Sequence, residues 1–88
     1  MRYTVLWTPV AEQRLAEVWL DAENPGEVNA AARAIDAMLR EDAHLVGESR
    51  SGSVRIMFVS PLAVNFEVLP NDRLVHVLSL WMPEPRSK

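Results

Sequence analysis

The chain has 88 residues, 49% of them apolar, a net charge of -3 and no cysteine, which predicts one domain over residues 1–82 and a flexible tail over 83–88. The lack of cysteine excludes disulfides, thiolate metal sites and a cysteine nucleophile, and the two scattered histidines argue against a structural metal. No bound cofactor is predicted. No apolar stretch approaches the ~20 residues of a membrane span, and the N-terminus lacks the apolar core of a signal peptide, so we expect a cytoplasmic protein.

Charge is unevenly distributed along the sequence. Residues 1–52 carry five arginines against nine acidic residues, a balance of -4, and residues 53–88 carry three arginines and one lysine against three acidic residues, a balance of +1. The pI is near 5.3, whereas nucleic-acid binders are usually basic. The overall charge therefore argues against a dedicated nucleic-acid binder, while the second half still permits contact with an anion.

The N-terminal part predicts a strand followed by an amphipathic helix. Apolar and polar residues alternate over 2–7, so the odd-numbered side chains should face one way. Thr8 followed by Pro9 is typical of a helix start, because the threonine caps the first turn and proline has no amide hydrogen to satisfy. The buried stripe of this helix is predicted to comprise Ala11, Leu15, Val18, Trp19 and Ala22.

A second helix is predicted from Asn24 to about Asp42. Asn24 would cap this helix, Pro25 would be its first residue, and Glu27 would return a hydrogen bond to the cap. The charged residues on its outer side, Asp36 among them, are interpreted as a solvated surface. Its buried stripe would comprise Val28, Ala31, Ala32, Ile35, Met38 and Leu39.

The segment after the second helix predicts a loop and then three antiparallel strands. Residues 44–53 are rich in glycine and serine and read as an irregular loop, either a binding loop or a plain linker. Alternating apolar runs follow, separated by turns at residues 60–62 and 70–72. The predicted fold is α+β with the order β-α-α-β-β-β, in which a two-helix hairpin packs on one face of a small, mainly antiparallel four-stranded sheet.

The register of the last hairpin divides the strand residues between two faces. A two-residue turn at Asn71-Asp72 would pair Leu69 with Leu74 and Glu67 with His76. The face under the helices is predicted to collect Val64, Phe66, Val68, Val75, Val77 and Trp81, with Val54, Ile56 and Phe58. The other face is predicted to collect Arg55, Met57, Asn65, Glu67, Leu69, Leu74, His76, Leu78 and Leu80. Its apolar strip indicates a partner surface, unless the loop and the tail fold over it.

The polar residues of the second face permit an acid–base site. Glu67 would hold the imidazole of His76 charged, and Arg55 would bind a phosphate beside Asn65. A cross-strand pair of glutamate and histidine is equally an ordinary way to stabilise a sheet. The sequence has no glycine-rich phosphate loop, paired metal-ligand motif or nucleophile elbow.

Four segments carry a resemblance to a known family. They are WTPVAEQRLAEVWL, IDAMLRED, GESRSGSVRIMFV and NFEVLPNDRLVHVLSLW. In this order of elements they resemble the RelE/ParE toxins of bacterial type II toxin–antitoxin systems over nearly the whole chain. The resemblance implies a growth inhibitor held inactive by a cognate antitoxin. The antitoxin-binding candidates are the exposed helix faces and the residues Met57, Leu69, Leu74, Leu78 and Leu80.

The family divides by mechanism, and this sequence departs from one branch. RelE-like members cut messenger RNA on the ribosome with basic residues, of which Arg55 matches one position, whereas Met57 and Val64 replace two others and WMPEP replaces the basic ending. ParE-like members inhibit DNA gyrase and need no such residues, so the resemblance favours gyrase inhibition by protein binding. The alternatives are an inactive member that only binds antitoxin, or a ribosome-dependent endonuclease with a reduced set comprising Arg50, Arg55, Arg73 and His76, with Glu67 beside the histidine.

Overall fold

The computed structural model describes residues 2–43, 48–51 and 54–83, with the backbone alone for 48–51. A two-helix hairpin packs on one face of a five-stranded sheet with the strand order β1-β5-β4-β3-β2. Strand β1 is parallel to β5, and the other neighbours are antiparallel. The predicted α+β fold is confirmed. The elements are β1 (Thr4–Trp7), α1 (Pro9–Asp21), α2 (Pro25–Asp42), β2 (Glu48–Ser51), β3 (Val54–Val59), β4 (Leu62–Leu69) and β5 (Leu74–Trp81).

Strand β2 extends the sheet by one strand beyond the four that the sequence predicts. The loop predicted over 44–53 contains this strand, which pairs with β3 and has a register shift between Ser49 and Ser51. Serine and glutamate have little intrinsic strand preference, so the free edge of β3 is the feature that accounts for the pairing. Residues 44–47, 52–53 and 84–88 lie outside the described residues, and so do the predictions that fall on them.

Thr8 joins the start of α1 to strand β5. Its hydroxyl oxygen accepts a hydrogen bond from the Ala11 N–H at 3.2 Å, as predicted for a helix cap. The same hydroxyl donates to the carbonyl oxygens of Val77 at 2.9 Å and Leu78 at 3.2 Å. The Thr8 N–H also donates to the Val77 carbonyl, at 3.1 Å. One side chain therefore fixes the angle at which α1 leaves the sheet.

Replacing Thr8 with valine should lower the free energy of unfolding by about 1–2 kcal/mol, because the shape is kept while the cap and the bond to β5 are lost. The measurement is urea unfolding followed by circular dichroism. Thr4→Val is the matched control, since Thr4 is an exposed strand threonine and its replacement should cost less than about 0.5 kcal/mol. Equal effects of the two substitutions would contradict this role of Thr8.

Helix α2 begins and packs largely as predicted, with two corrections. The side chain of Asn24 makes no capping hydrogen bond, so the predicted capping box does not form; instead the Asn24 carbonyl accepts from the Glu27 N–H at 3.0 Å. Met38 is 39% exposed, and Trp19 of α1 is 40% exposed, so neither belongs to the buried stripes predicted for them. The residues of α2 that enter the core are Val28, Ala31, Ile35 and Leu39.

The hairpin of β4 and β5 has the predicted register. Leu69 pairs with Leu74 and Glu67 with His76. The connection is longer than the predicted two-residue turn, because residues 70–72 form a single 3-10 turn and Arg73 follows in the left-handed region with a φ of 52°. Leu69 lies opposite Leu74 on either side of this four-residue connection, so the pairing is the one predicted.

Strand β3 has the opposite orientation to the one predicted. Val59 pairs with Leu62, so the connecting turn is the two residues Ser60 and Pro61 rather than three. One residue fewer in a turn moves every side chain of the strand to the other face. Met57 is accordingly 5% exposed beneath the helices, whereas Phe58 is 59% exposed on the opposite side.

A β-bulge in β5 corrects the prediction for the end of that strand. Phe66 pairs with Val77 and Asn65 with Ser79, which leaves Leu78 as an extra residue. Side chains beyond a bulge continue with shifted alternation. Leu80 therefore lies in the core at 0% exposure, and Trp81, predicted for the core, lies half-buried on the other face.

The sheet thus has a helix face and an open face, defined by the observed pairing. The helix face comprises Val5, Trp7, Arg55, Met57, Val59, Leu62, Val64, Phe66, Val68, Val75, Val77 and Leu80. The open face comprises Thr4, Leu6, Val54, Ile56, Phe58, Ala63, Asn65, Glu67, Leu69, Leu74, His76, Ser79 and Trp81. The main hydrophobic core lies between the helix face and the two helices. None of the described helices is long and apolar enough to cross a membrane.

Candidate functional site

The residues predicted for an acid–base site do not come together. Glu67 and His76 are directly opposite each other on neighbouring strands of the open face. Arg55 pairs with Phe66, which is fully buried under the helices, so the arginine lies on the helix face. The sheet therefore separates Arg55 from the glutamate and histidine that it was predicted to join.

The other two predicted cations do not join this pair in the described structure. Arg73 is exposed in the connection between β4 and β5, at the end of the sheet rather than on its open face. The side chain of Arg50 lies outside the part of the chain that is described. No arginine or lysine lies on the open face of β1, β3, β4 or β5. These four strands thus present one acid and one imidazole to a ligand, and no permanent cation.

Leu69 and Leu74, two of the five predicted antitoxin-binding residues, are half-buried on the open face. Leu78 is the half-buried residue of the bulge. Met57 and Leu80 are core residues, so their predicted placement is wrong: the shorter turn moves Met57 and the bulge moves Leu80.

Two aromatic residues of the open face were assigned to the core by the sequence. Phe58 is 59% exposed and Trp81 is half-buried. The signal that could have identified Phe58 is Pro61, because a two-residue reading of Ser60-Pro61 reverses the strand. Leu6, which is 46% exposed, follows from the alternation of the first strand.

A second apolar surface, the helix groove, lies between α1 and α2. Two adjoining depressions of about 510 and 490 Å³ share Glu12 and Leu15 in their lining. Charged residues line its edges, and Arg33 is among them. The apolar residues that line the groove are Trp7, Leu15, Ala16, Trp19, Leu20, Ala32 and Ala37.

Asp36 is more than part of a solvated helix surface. Its Oδ1 accepts a hydrogen bond from the indole Nε1 of Trp7 at 3.1 Å, and its Oδ2 accepts from Nε of Arg40 at 2.9 Å. The bond from Trp7 connects β1 to α2 at one end of the helix groove, and the bond from Arg40, which also lies on α2, holds the Asp36 carboxylate in place. The sequence could not indicate the contact with Trp7, because the two residues are 29 positions apart.

Acidic residues lie together at the other end of the helix hairpin. A depression of about 590 Å³ is lined by Asp21, Glu23 and Glu27 together with Ser60 and Pro61. Negative charge here disfavours a phosphate backbone. Among the described residues no group of three or more histidine or acidic side chains could hold a metal ion.

Comparison with solved structures identifies the fold. The chain superposes on the toxin–antitoxin complex RelBE2 of Mycobacterium tuberculosis with a TM-score of 0.76 and 16% identity, covering 93% of this chain and 92% of that one. It superposes on the chromosomal ParDE toxin–antitoxin system of P. aeruginosa with a TM-score of 0.73 and 17% identity, covering 94% and 98%. This chain has the RelE/ParE toxin fold. No protein-family model and no curated protein matches the sequence.

The RelE/ParE toxin fold is also similar to part of a protein with a different name. TrmO from Pseudomonas aeruginosa superposes with a TM-score of 0.63 and 21% identity, over 91% of this chain and 35% of that one. Identities this low establish the fold alone. The function must therefore be argued from the surfaces of this chain.

Proposed function

We propose that the chain is the toxin of a type II toxin–antitoxin system and that it arrests growth by binding DNA gyrase rather than by cutting RNA. The fold is that of toxins found in RelBE2 and ParDE complexes. The single observation that favours protein binding over RNA cleavage is the open face, which has no arginine or lysine on β1, β3, β4 or β5.

RNA cleavage at this surface would require positively charged side chains. A nuclease must bind the phosphate backbone and stabilise negative charge that develops at the scissile phosphate, and preformed cationic donors are the usual means. Arg55 lies on the opposite side of the sheet from His76. A protein target places no such demand, and apolar side chains such as Phe58 and Leu6 suit protein contact.

The antitoxin is proposed to use the helix groove and the leucines of the open face. The groove is lined mainly by apolar residues together with charged ones such as Glu12 and Arg33, which suits an amphipathic helix laid between α1 and α2. Leu69 and Leu74 lie on the other side of the sheet, so a second segment of the antitoxin, passing around the sheet edge, would contact them. A small antitoxin gene beside the gene for this chain would support the pairing.

Induced expression in bacteria tests the function and separates its alternatives. Gyrase inhibition should arrest growth with an SOS response and filamentation, whereas RNA cleavage should give rapid loss of translation with cut messages. Harmless accumulation of folded protein would contradict both toxin mechanisms and leave an inactive member that binds only antitoxin.

Arg55→Ala is expected to leave growth arrest intact, because gyrase binding through the open face does not use a residue of the helix face. The measurement is the count of surviving cells after induction, together with circular dichroism to confirm folding. Arg14→Ala, in an exposed ion pair on α1, is the matched control. If a folded Arg55→Ala variant loses toxicity while Arg14→Ala keeps it, the endonuclease alternative replaces the gyrase proposal.

A further inference from the structure

The open face is a sheet surface on which neither helix packs. Phe58 and Leu6 are 59% and 46% exposed on it, and the titratable residues that β1, β3, β4 and β5 place there are Glu67 and His76. Exposed apolar surfaces of this extent commonly mark interaction sites. We propose that in the absence of other partners a second copy of this chain covers the open face, through a two-fold axis that runs parallel to the strands between β4 and β5.

This axis makes the open face complementary to itself. It places each residue of β4 opposite the residue of the second copy's β5 with which it already pairs in its own sheet. Each of the four resulting contacts joins compatible groups. They are two aliphatic side chains (Leu69 with Leu74), an acid and an imidazole (Glu67 with His76), an amide and a hydroxyl (Asn65 with Ser79), and a small and a large side chain (Ala63 with Trp81).

The flanking strands follow the same rule. One row across the sheet reads Leu6, His76, Glu67 and Val54 from β1 to β3. The axis reverses this row in the second copy, so that Leu6 lies opposite Val54 and each charged group lies opposite its counter-group. An isologous contact requires such reciprocity. The interface therefore places the carboxyl group of each copy opposite an imidazole of the other.

The last pair provides a shape argument. Ala63 is 0% exposed between the larger side chains of Phe58 and Trp81, with which it pairs on the neighbouring strands. Face-to-face sheets pack about 10 Å apart with side chains interdigitating. Phe58 and Trp81 of each copy already cover its Ala63, so the larger side chains around this small residue are the ones that would meet the second copy.

The open face is large enough for a stable dimer only if most of its area is buried between the two copies. The proposed axis brings four strands of each copy face to face, and at a spacing of about 4.8 Å, with up to eight residues at about 3.3 Å each, they give a flat area of at most roughly 500 Å². Side chains make the accessible area larger, and a standard interface buries about 800 Å² per partner. Because the area is no larger than a stable dimer needs, a single substitution in the row that contains Glu67 and His76 should be enough to separate the copies.

An antitoxin that reaches Leu69 and Leu74 would displace the second copy, so the pair is the form of the chain without partner. The pairing itself does not depend on toxin activity. Its test can therefore fail while growth arrest is observed, or succeed while growth arrest is absent.

Sedimentation velocity of the purified chain over a wide concentration range is the test. We expect a reversible transition from the 9.9 kDa monomer to twice that mass. Glu67→Arg places a cation opposite His76 of the second copy and should weaken association at least about tenfold, a change of about 1.4 kcal/mol. A double variant that exchanges the two residues, Glu67→His with His76→Glu, should associate as wild type does, because an acid still lies opposite an imidazole.

Leu15→Arg in the helix groove is the matched control, and all variants are checked by circular dichroism. Association that survives Leu15→Arg supports the open face, whereas its loss would place the contact in the groove and overturn the proposal. A wild-type chain that stays monomeric at every concentration would also overturn it, as would a folded Glu67→Arg variant that pairs as tightly as wild type.

Discussion

Replacing Phe66 with alanine is expected to lower the free energy of unfolding by about 3–5 kcal/mol. Phe66 is the largest fully buried side chain, at 0% exposure on β4 beneath the helices. Its removal loses apolar burial and leaves a cavity in a core that a chain of this size cannot easily refill. Small domains are stable by only about 5–15 kcal/mol. Urea unfolding should thus show a variant close to the limit of folding.

Phe58→Ala is the matched control for Phe66→Ala. These are the chain's two phenylalanines, and the sequence assigns both to the core although Phe58 is 59% exposed. At a low protein concentration, where self-association does not contribute, Phe58→Ala should change the free energy of unfolding by less than about 0.5 kcal/mol. Similar losses for both variants would contradict the orientation of β3.

Leu80→Lys should abolish stable folding. Leu80 is 0% exposed on the helix face, opposite Val64. An ammonium group there would be buried without a partner, at a cost of about 3–5 kcal/mol beyond the lost apolar contacts. We expect circular dichroism and urea titration to report a largely unfolded chain at room temperature.

Leu74→Lys provides the comparison on the same strand. Leu74 is half-buried on the open face, so its lysine can keep the charged end in water. This variant should fold, with less self-association and weaker antitoxin binding. Folding of Leu80→Lys to the same extent would contradict the bulge, since an unbroken alternation puts both leucines on one face.

The order of the elements and the start of α1 could be predicted because short patterns determine them. The alternation of strand residues indicated the sheet, and Thr8-Pro9 indicated the cap. The pairing of Glu67 with His76 was also predictable, because β4 and β5 are joined by a short connection. These features depend on residues that are neighbours in the sequence.

The composition of the two faces was less predictable because one residue more or fewer in a turn or a strand moves the following side chains to the other face. Whether Leu62 belongs to the turn or to β4 decides the orientation of β3, and both assignments suit the sequence. At the bulge, the hydroxyl of Thr8 contacts the carbonyl oxygens of Val77 and Leu78, which are 69 and 70 positions away in the sequence. A register shift stabilised over that distance leaves no local pattern. Arg55, Met57 and Leu80 were misplaced for these reasons.

The pairing of β1 with β5 has a consequence for the order of events during synthesis. Residues of β1 leave the ribosome before those of the other described strands, but their hydrogen-bonding partners in Leu74–Trp81 emerge after them. Helices α1 and α2 can form early from local contacts, whereas the central sheet must await the C-terminal strand. Any activity that requires the intact sheet therefore begins only after β5 has been translated.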